Sequence, residues 1–170
     1  WYTAASGGTR VTTYTGSTNV TYYAHWTANT YTIKYNQGPA SSTTNLPSEQ
    51  TATYDVNINL ATNSMTKNNT DLGTVTFNYN GSGAANTTSK AYTSYSVNGW
   101  STSSGGSRSY TSGQSVKNLA TTGTVNLYPC FSSTAHSATF PSPTRTGYTF
   151  DGWYTAASGG TRVTTYTGST

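Results

Sequence analysis

Apolar and polar residues alternate along most of this chain with a period of two. Tyr31, Ile33 and Tyr35 fall on one face, with Thr30, Thr32, Lys34 and Asn36 opposite. Tyr54, Val56, Ile58 and Leu60 alternate with Asp55, Asn57 and Asn59, and Val75, Phe77 and Tyr79 with Thr74, Thr76 and Asn78. Val125, Leu127 and Phe131 follow the same rule. The pattern predicts strands with one buried and one wet face. Thr and Tyr suit that surface because both favour a pleated backbone. Residues 49–65 come nearest to a helical stripe, but β-branched and Asn residues dominate there. Asn80-Gly81 signals a tight hairpin after Val75–Tyr79. Asn98-Gly99 and Asp151-Gly152 are further turn candidates, each set against a Trp expected to pack. The Ser- and Gly-rich stretches at 101–107 and 156–160 read as loops. The expected fold class is all-β or mainly β, with antiparallel hairpins and little or no helix.

The chain also repeats itself. Residues 1–18, WYTAASGGTRVTTYTGST, recur without a change at 153–170, a period of 152 residues. Eighteen consecutive identities mark a tandem array. A weaker repeat lies inside the period. Tyr148-Thr-Phe-Asp-Gly-Trp153 parallels Tyr95-Ser-Val-Asn-Gly-Trp100, an SGG follows each, and Arg162 and Arg108 come two residues after the Gly pairs. Val20-Thr-Tyr-Tyr-Ala-His-Trp26 parallels Val125-Asn-Leu-Tyr-Pro-Cys-Phe131 as a closing strand. Three segments follow: 1–27 as the C-terminal part of a short unit, 28–133 as a longer unit with an inserted hairpin near 69–97, and 134–170 as the N-terminal part of the next short unit. Each broken unit holds what the other lacks, so neighbouring copies, covalent or head to tail, are the expected partners. The Trp and Phe positions shared by the units, Trp100, Trp153, Phe150, Trp26 and Phe131, are the expected repeat core.

Those residues resemble a known family. Gly147-Tyr-Thr-Phe-Asp-Gly-Trp-Tyr-Thr155, a Gly pair, the closing strand Val20–Trp26 and the lead-in Pro141-Ser-Pro-Thr-Arg-Thr146 are similar to the Listeria–Bacteroides repeat of internalin-type bacterial surface proteins. The resemblance covers the short unit well and the longer unit through Tyr31–Asn36, Val97–Trp100 and Val125–Phe131. Pro129, Cys130 and Phe131 depart from the family's usual ending. The resemblance implies small β-grasp-like modules in tandem, extracellular at the cell surface or secreted, serving as stalks, spacers or adhesive modules. It implies no catalytic residue.

Composition narrows the function further. Only 7% of residues are charged, for a net +4, while 61 are Ser or Thr. Four Trp and 15 Tyr supply the burial that the few aliphatic residues do not. The eight basic residues are scattered, with no stripe that would track a phosphate backbone, so nucleic acid is not an expected partner. No apolar run is long enough to span a bilayer, so this segment is not expected to insert into a membrane. A single Cys, Cys130, forms no intramolecular disulfide and no Cys-type zinc site. Glu49, Asp55, Asp71 and Asp151 offer no evident carboxylate pair for hydrolysis. His25 sits in an alternating strand, His136 in a Ser-rich connector, and the two are not spaced as ligands or as an oriented base. Neither an enzyme nor a cofactor is expected. The expected function is a non-catalytic segment of an extracellular stalk, fibre or adhesin shaft. The alternative is an adhesive module that stacks glycans on Tyr14, Tyr110 and Tyr166, the tyrosines following the Gly loops.

Overall fold

The computed structural model describes residues 1–168. The described residues are mainly β and contain no helix. Nine strands follow in chain order: β1 (Thr30–Tyr35), β2 (Gln50–Thr53), β3 (Ile58–Asn59), β4 (Thr70–Phe77), β5 (Thr87–Ser101), β6 (Ser115–Val116), β7 (Thr124–His136), β8 (Trp153–Tyr154) and β9 (Arg162–Val163). Five of them form one sheet in the order β2, β1, β7, β5, β4; β3 pairs with β6 and β8 with β9. Every pairing is antiparallel except one. β1 lies parallel to β7, with Thr32 opposite Thr124 and Tyr35 opposite Leu127.

The alternating faces bury as their spacing requires. Tyr31, Ile33 and Tyr35 are buried, and with Ala52, Leu60, Met65, Val116 and Leu127 they surround Trp100, which is 0% exposed. The Trp100 indole N–H donates to the Ala61 carbonyl at 2.8 Å, and its ring lies 4.5 Å from that of Tyr35. The Tyr35 hydroxyl donates to Gln50 Oε1 at 2.5 Å and accepts the Ala61 amide at 2.8 Å. Burial pushes that phenol above its ordinary pKa of 10.0, and the bond from Ala61 opposes the shift in part. Asn63, a buried polar residue, is satisfied in the same layer. Its amide group donates to the Gly99 carbonyl at 2.8 Å, and its oxygen accepts the Met65 amide at 3.1 Å.

β7 carries a proline in the middle of a sheet, where a missing donor would usually break the ladder. Trp100 makes the position tolerable. Its amide donates to the Tyr110 carbonyl at 2.8 Å and its carbonyl accepts the Tyr110 amide at 3.0 Å. The facing pair Trp100–Pro129 therefore needs no ladder bond. Pro129 N is turned to the other edge, where β1 has ended and the Gly38 backbone packs close to Pro129 Cδ.

Several expectations change. Tyr54, Val56, Ile58 and Leu60 do not share one strand. The chain turns at Asp55, which has a φ of 62° and whose amide donates to Asn118 Oδ1 at 2.6 Å. Asn118 donates back to Asp55 Oδ1 at 2.8 Å. This reciprocal clasp ends β2, leaves Val56 exposed and starts the short β3. Asn98-Gly99 is not a turn but a bulge within β5, between the pairs Val97–Phe131 and Gly99–Cys130. His136 ends β7 rather than lying in a connector. It stacks on Tyr92 at 4.5 Å and shares a 2.7 Å hydrogen bond with Ser94. Cys130 is buried because the 102–109 loop folds over it, its thiol donating to the Gly106 carbonyl at 3.2 Å. The alternation through Val75 and Phe77 lies in β4, which pairs with β5 across a loop containing Asn80-Gly81.

Candidate functional site

One local structure occurs three times. In each, a Trp starts a hairpin that returns ten residues later, at Val11, Tyr110 and Val163. Val11 N donates to the Trp1 carbonyl at 2.8 Å; Tyr110 N donates to the Trp100 carbonyl at 3.0 Å; Trp153 pairs with Val163 in β8–β9. The two identical segments agree in detail. Thr3 N donates to Thr9 O and Thr155 N to Thr161 O, both at 3.1 Å; Thr9 N donates to Thr3 Oγ1 and Thr161 N to Thr155 Oγ1, both at 2.9 Å. Gly8 and Gly160 are left-handed, at φ 76° and 79°. Local chemistry sets this hairpin regardless of its surroundings. Arg108 donates to Asn98 Oδ1 at 2.7 Å, and Arg162 lies close to Gly152, so an Arg packs on the residues before Trp100 and before Trp153.

The closing strands share a register too. Ser101, the residue after Trp100, is opposite Tyr128. Tyr2, the residue after Trp1, is opposite Tyr23, with Tyr2 N donating to Tyr23 O at 2.8 Å and Tyr23 N to Tyr2 O at 2.9 Å. These are the same positions of the aligned units. His25 stacks on Tyr2 with ring centres 3.8 Å apart, its Nε2 2.8 Å from the Ala4 carbonyl.

The third copy, at β8, has no such strand among the described residues, and β8–β9 is a two-stranded sheet. Beside it lies an open groove of about 940 Å³. Phe77 of β4 forms its buried floor, with Phe140 at 4.9 Å and Trp153 at 4.8 Å. Tyr79 and Phe150 meet the Trp153 ring edge-on at 5.3 and 5.5 Å. The Trp153 indole N–H donates to the Pro141 carbonyl at 2.8 Å, as that of Trp100 does to Ala61. Phe150 is 42% exposed and Tyr154 47% exposed along the rim. Arg145 lies over the Tyr148 ring at 4.0 Å.

The expected repeat core is thus unevenly filled. Trp100 is fully buried, Phe131 packs against the core, and Trp153 is half-buried. Phe150 and Trp26 depart from the expectation: Phe150 is 42% exposed, and Trp26, three residues past the isolated Tyr2–Tyr23 bridge, is 91% exposed. The three glycan candidates lie in different neighbourhoods. Tyr14 is exposed, its hydroxyl bonded to the Thr18 carbonyl and its ring edge-on to Tyr22. Tyr110 is half-buried in the Trp100 hairpin. Tyr166 lies over Gly73, its carbonyl accepting the Ala138 amide at 2.9 Å. Sequence reasoning did not join Phe77 and Phe140 to Trp153. The signal available was Phe77's place as the inward residue of β4.

Asp151 and Arg145 are the charged residues that line the groove. Asp71, whose carboxyl is held below its ordinary range by a 2.7 Å bond from Lys90 and by the Gly73 amide, lies on the exposed β4–β5 surface. Among the described residues no three His, Cys, Asp or Glu side chains gather as a metal site, and no helix is long and apolar enough to cross a membrane.

An aromatic hairpin repeated in a mainly β chain defines a repeat protein. Residues 120–170 match the model of the Listeria-Bacteroides repeat domain, which supports that repeat family for this part of the chain. The family is typical of bacterial surface proteins. Comparison with curated proteins and with solved structures gave no match.

Proposed function

We propose that the chain is a non-catalytic, structural segment of a bacterial extracellular stalk, fibre or adhesin shaft, built from units that repeat every 152 residues. The observation that carries this reading is the recurring hairpin. In three Trp-led copies the Trp meets the residue ten positions later, and two closing strands hold the same register. Repeats that contact only their neighbours extend in one dimension. The parallel placement of β1 beside β7, with β2 and β5 outside them, supports a β-grasp-like reading of the longer unit. A surface of Ser, Thr and Asn with few charges keeps such a shaft indifferent to salt. The test is the maximum dimension, by small-angle X-ray scattering, of chains carrying one, two and three periods. The reading expects a constant increment per period. A dimension that grows only as the cube root of mass would overturn it.

A second reading, glycan adhesion, draws on Tyr14 and on Tyr148 and Tyr154 at the groove rim, all exposed. Titration of bacterial and host oligosaccharides against the indole resonances tests it, and no shift across the series would remove it.

A further inference from the structure

We infer that Asn80 is a site of spontaneous covalent modification, losing its side-chain ammonia through attack by the Gly81 backbone nitrogen, while the Asn98-Gly99 step of the same chain is held inert by the fold. Asn80 and Gly81 are the central residues of a turn closed by the Ser82 amide, which donates to the Tyr79 carbonyl at 3.2 Å. Both are left-handed, at φ 45° and 76°, and both are exposed. The turn lies in the loop beyond the last ladder pair of β4 and β5, Phe77–Thr87, so it can reshape without opening the sheet. A Cβ at Gly81 would meet nothing within 4 Å, so the space around the attacking nitrogen is open. The Asn80 side-chain amide donates to the Ala157 carbonyl at 3.4 Å, a long and therefore weak bond.

The chemistry needs only water. The Gly81 nitrogen, giving its proton to solvent, bonds to the Asn80 side-chain carbonyl carbon. The bond from that carbon to the side-chain nitrogen breaks, ammonia leaves, and a five-membered succinimide remains. Water then opens the ring at either carbonyl. One product is an ordinary aspartyl residue; in the other, isoaspartyl, the main chain runs through the side-chain carbon. No oxidation or reduction is involved. Asn98-Gly99 has the same two residues in opposite circumstances. Gly99 is buried in the β5 bulge, between the pairs Val97–Phe131 and Gly99–Cys130. Its carbonyl accepts the Asn63 side-chain amide at 2.8 Å. Arg108 donates to Asn98 Oδ1 at 2.7 Å and to the Asn98 carbonyl at 3.3 Å. A Cβ at Gly99 would collide with the Tyr110 carbonyl, so the ring has no room. Closure there requires the bulge to open first. At Asn80 conversion lowers the net charge of +4 by one. A carboxylate has no proton to donate, so the bond to Ala157, in the loop between β8 and β9, is lost as well.

The test uses the whole chain, incubated folded at physiological temperature and mildly alkaline pH. Peptide mapping with electron-transfer fragmentation locates the change and separates aspartyl from isoaspartyl. Position 80 should gain one mass unit, with both products present, at least about a hundredfold faster than position 98, the ratio that a strongly disfavoured opening imposes. In guanidinium strong enough to unfold the chain, the two positions should convert within about threefold of each other, because the fold alone separates them. Asn80→Gln, whose six-membered ring closes far more slowly, should abolish the acidic form that accumulates on ion exchange of the intact chain. Equal conversion at both positions in the folded chain would overturn the inference. So would a ratio that persists in guanidinium, since local sequence rather than the fold would then set it, or an acidic form undiminished in Asn80→Gln. A product at position 80 that is wholly aspartyl would also overturn it, as the mark of direct hydrolysis without the ring.

Discussion

Three tryptophans at one repeat position provide a controlled measurement of what burial is worth here. Trp1, Trp100 and Trp153 each open the same hairpin, so truncating any of them to Ala perturbs the same local backbone. Their surroundings differ. Trp100 is 0% exposed, Trp153 is half-buried and Trp1 is 68% exposed. Truncation of a buried Trp costs about 3–5 kcal/mol through lost transfer energy and the cavity left behind. At Trp100 the Ala61 carbonyl also loses its donor, which adds about 1 kcal/mol or more. A domain of this size holds roughly 5–15 kcal/mol in all. Trp100→Ala is therefore expected to consume most of the stability. Trp1→Ala should stay within about 0.5 kcal/mol, as surface changes do. Trp153→Ala falls between them, near 2 kcal/mol by the same scale. Urea denaturation followed by far-UV circular dichroism gives the three midpoints, and a constant slope confirms that only stability has changed. Equal losses at Trp1 and Trp100 would refute the reasoning, since the hairpin rather than burial would then set the cost.

Alkaline titration should expose Tyr35. Its folded phenol binds its proton more tightly than the unfolded one, so this stability is complete below about pH 10 and is lost as pH rises through the raised value; Tyr35→Phe should flatten that limb of a stability–pH curve. Asp71 works in the other direction, with stability present above about pH 3.8 and lost as pH falls through its lowered value; because the pair with Lys90 is solvent-exposed, Lys90→Ala should leave the melting temperature at neutral pH almost unmoved. Gly99→Ala should destabilise more than Gly152→Ala in urea melts. Both have φ well above zero, but a Cβ at 99 would collide with the Tyr110 carbonyl, whereas at 152 it meets the mobile end of Arg162. Amide exchange should be slowest in β5 and β7 and fast through residues 12–28, where Tyr23 makes the one β-bridge to the rest among the described residues; protection there equal to that of β5 would contradict the pairing.

Much of the fold is legible in the sequence where one face of a strand is buried along its whole length. Tyr31, Ile33 and Tyr35 could be read because every second residue goes to one core. The recurrence of residues 1–18 at 153–170 could be read directly, though not the hairpin that each copy forms. What could not be read depends on partners far away in the chain. The break at Asp55 needs Asn118, 63 residues on, to hold a left-handed backbone. Pro129 sits within a sheet only because Trp100 turns its bonds to Tyr110. Cys130 alternates like an outward residue and is buried by a loop that alternation does not describe. The groove was missed for the same reason. Phe77 and Trp153 lie far apart in the sequence, and nothing local brings them together.

The parallel neighbours β1 and β7 decide how this object answers to force. In chain order β1 is the first strand of the five-stranded sheet and β7 the last, and they run side by side from Thr32–Thr124 to Tyr35–Leu127. A pull along the chain draws the start of β1 one way and the end of β7 the other. The bonds between them are then loaded together, in shear, and must fail as a group rather than peel one by one. Rupture under tension is governed by the barrier to unfolding, not by the equilibrium stability. A chain of modest thermodynamic stability can in this way carry tension along its length.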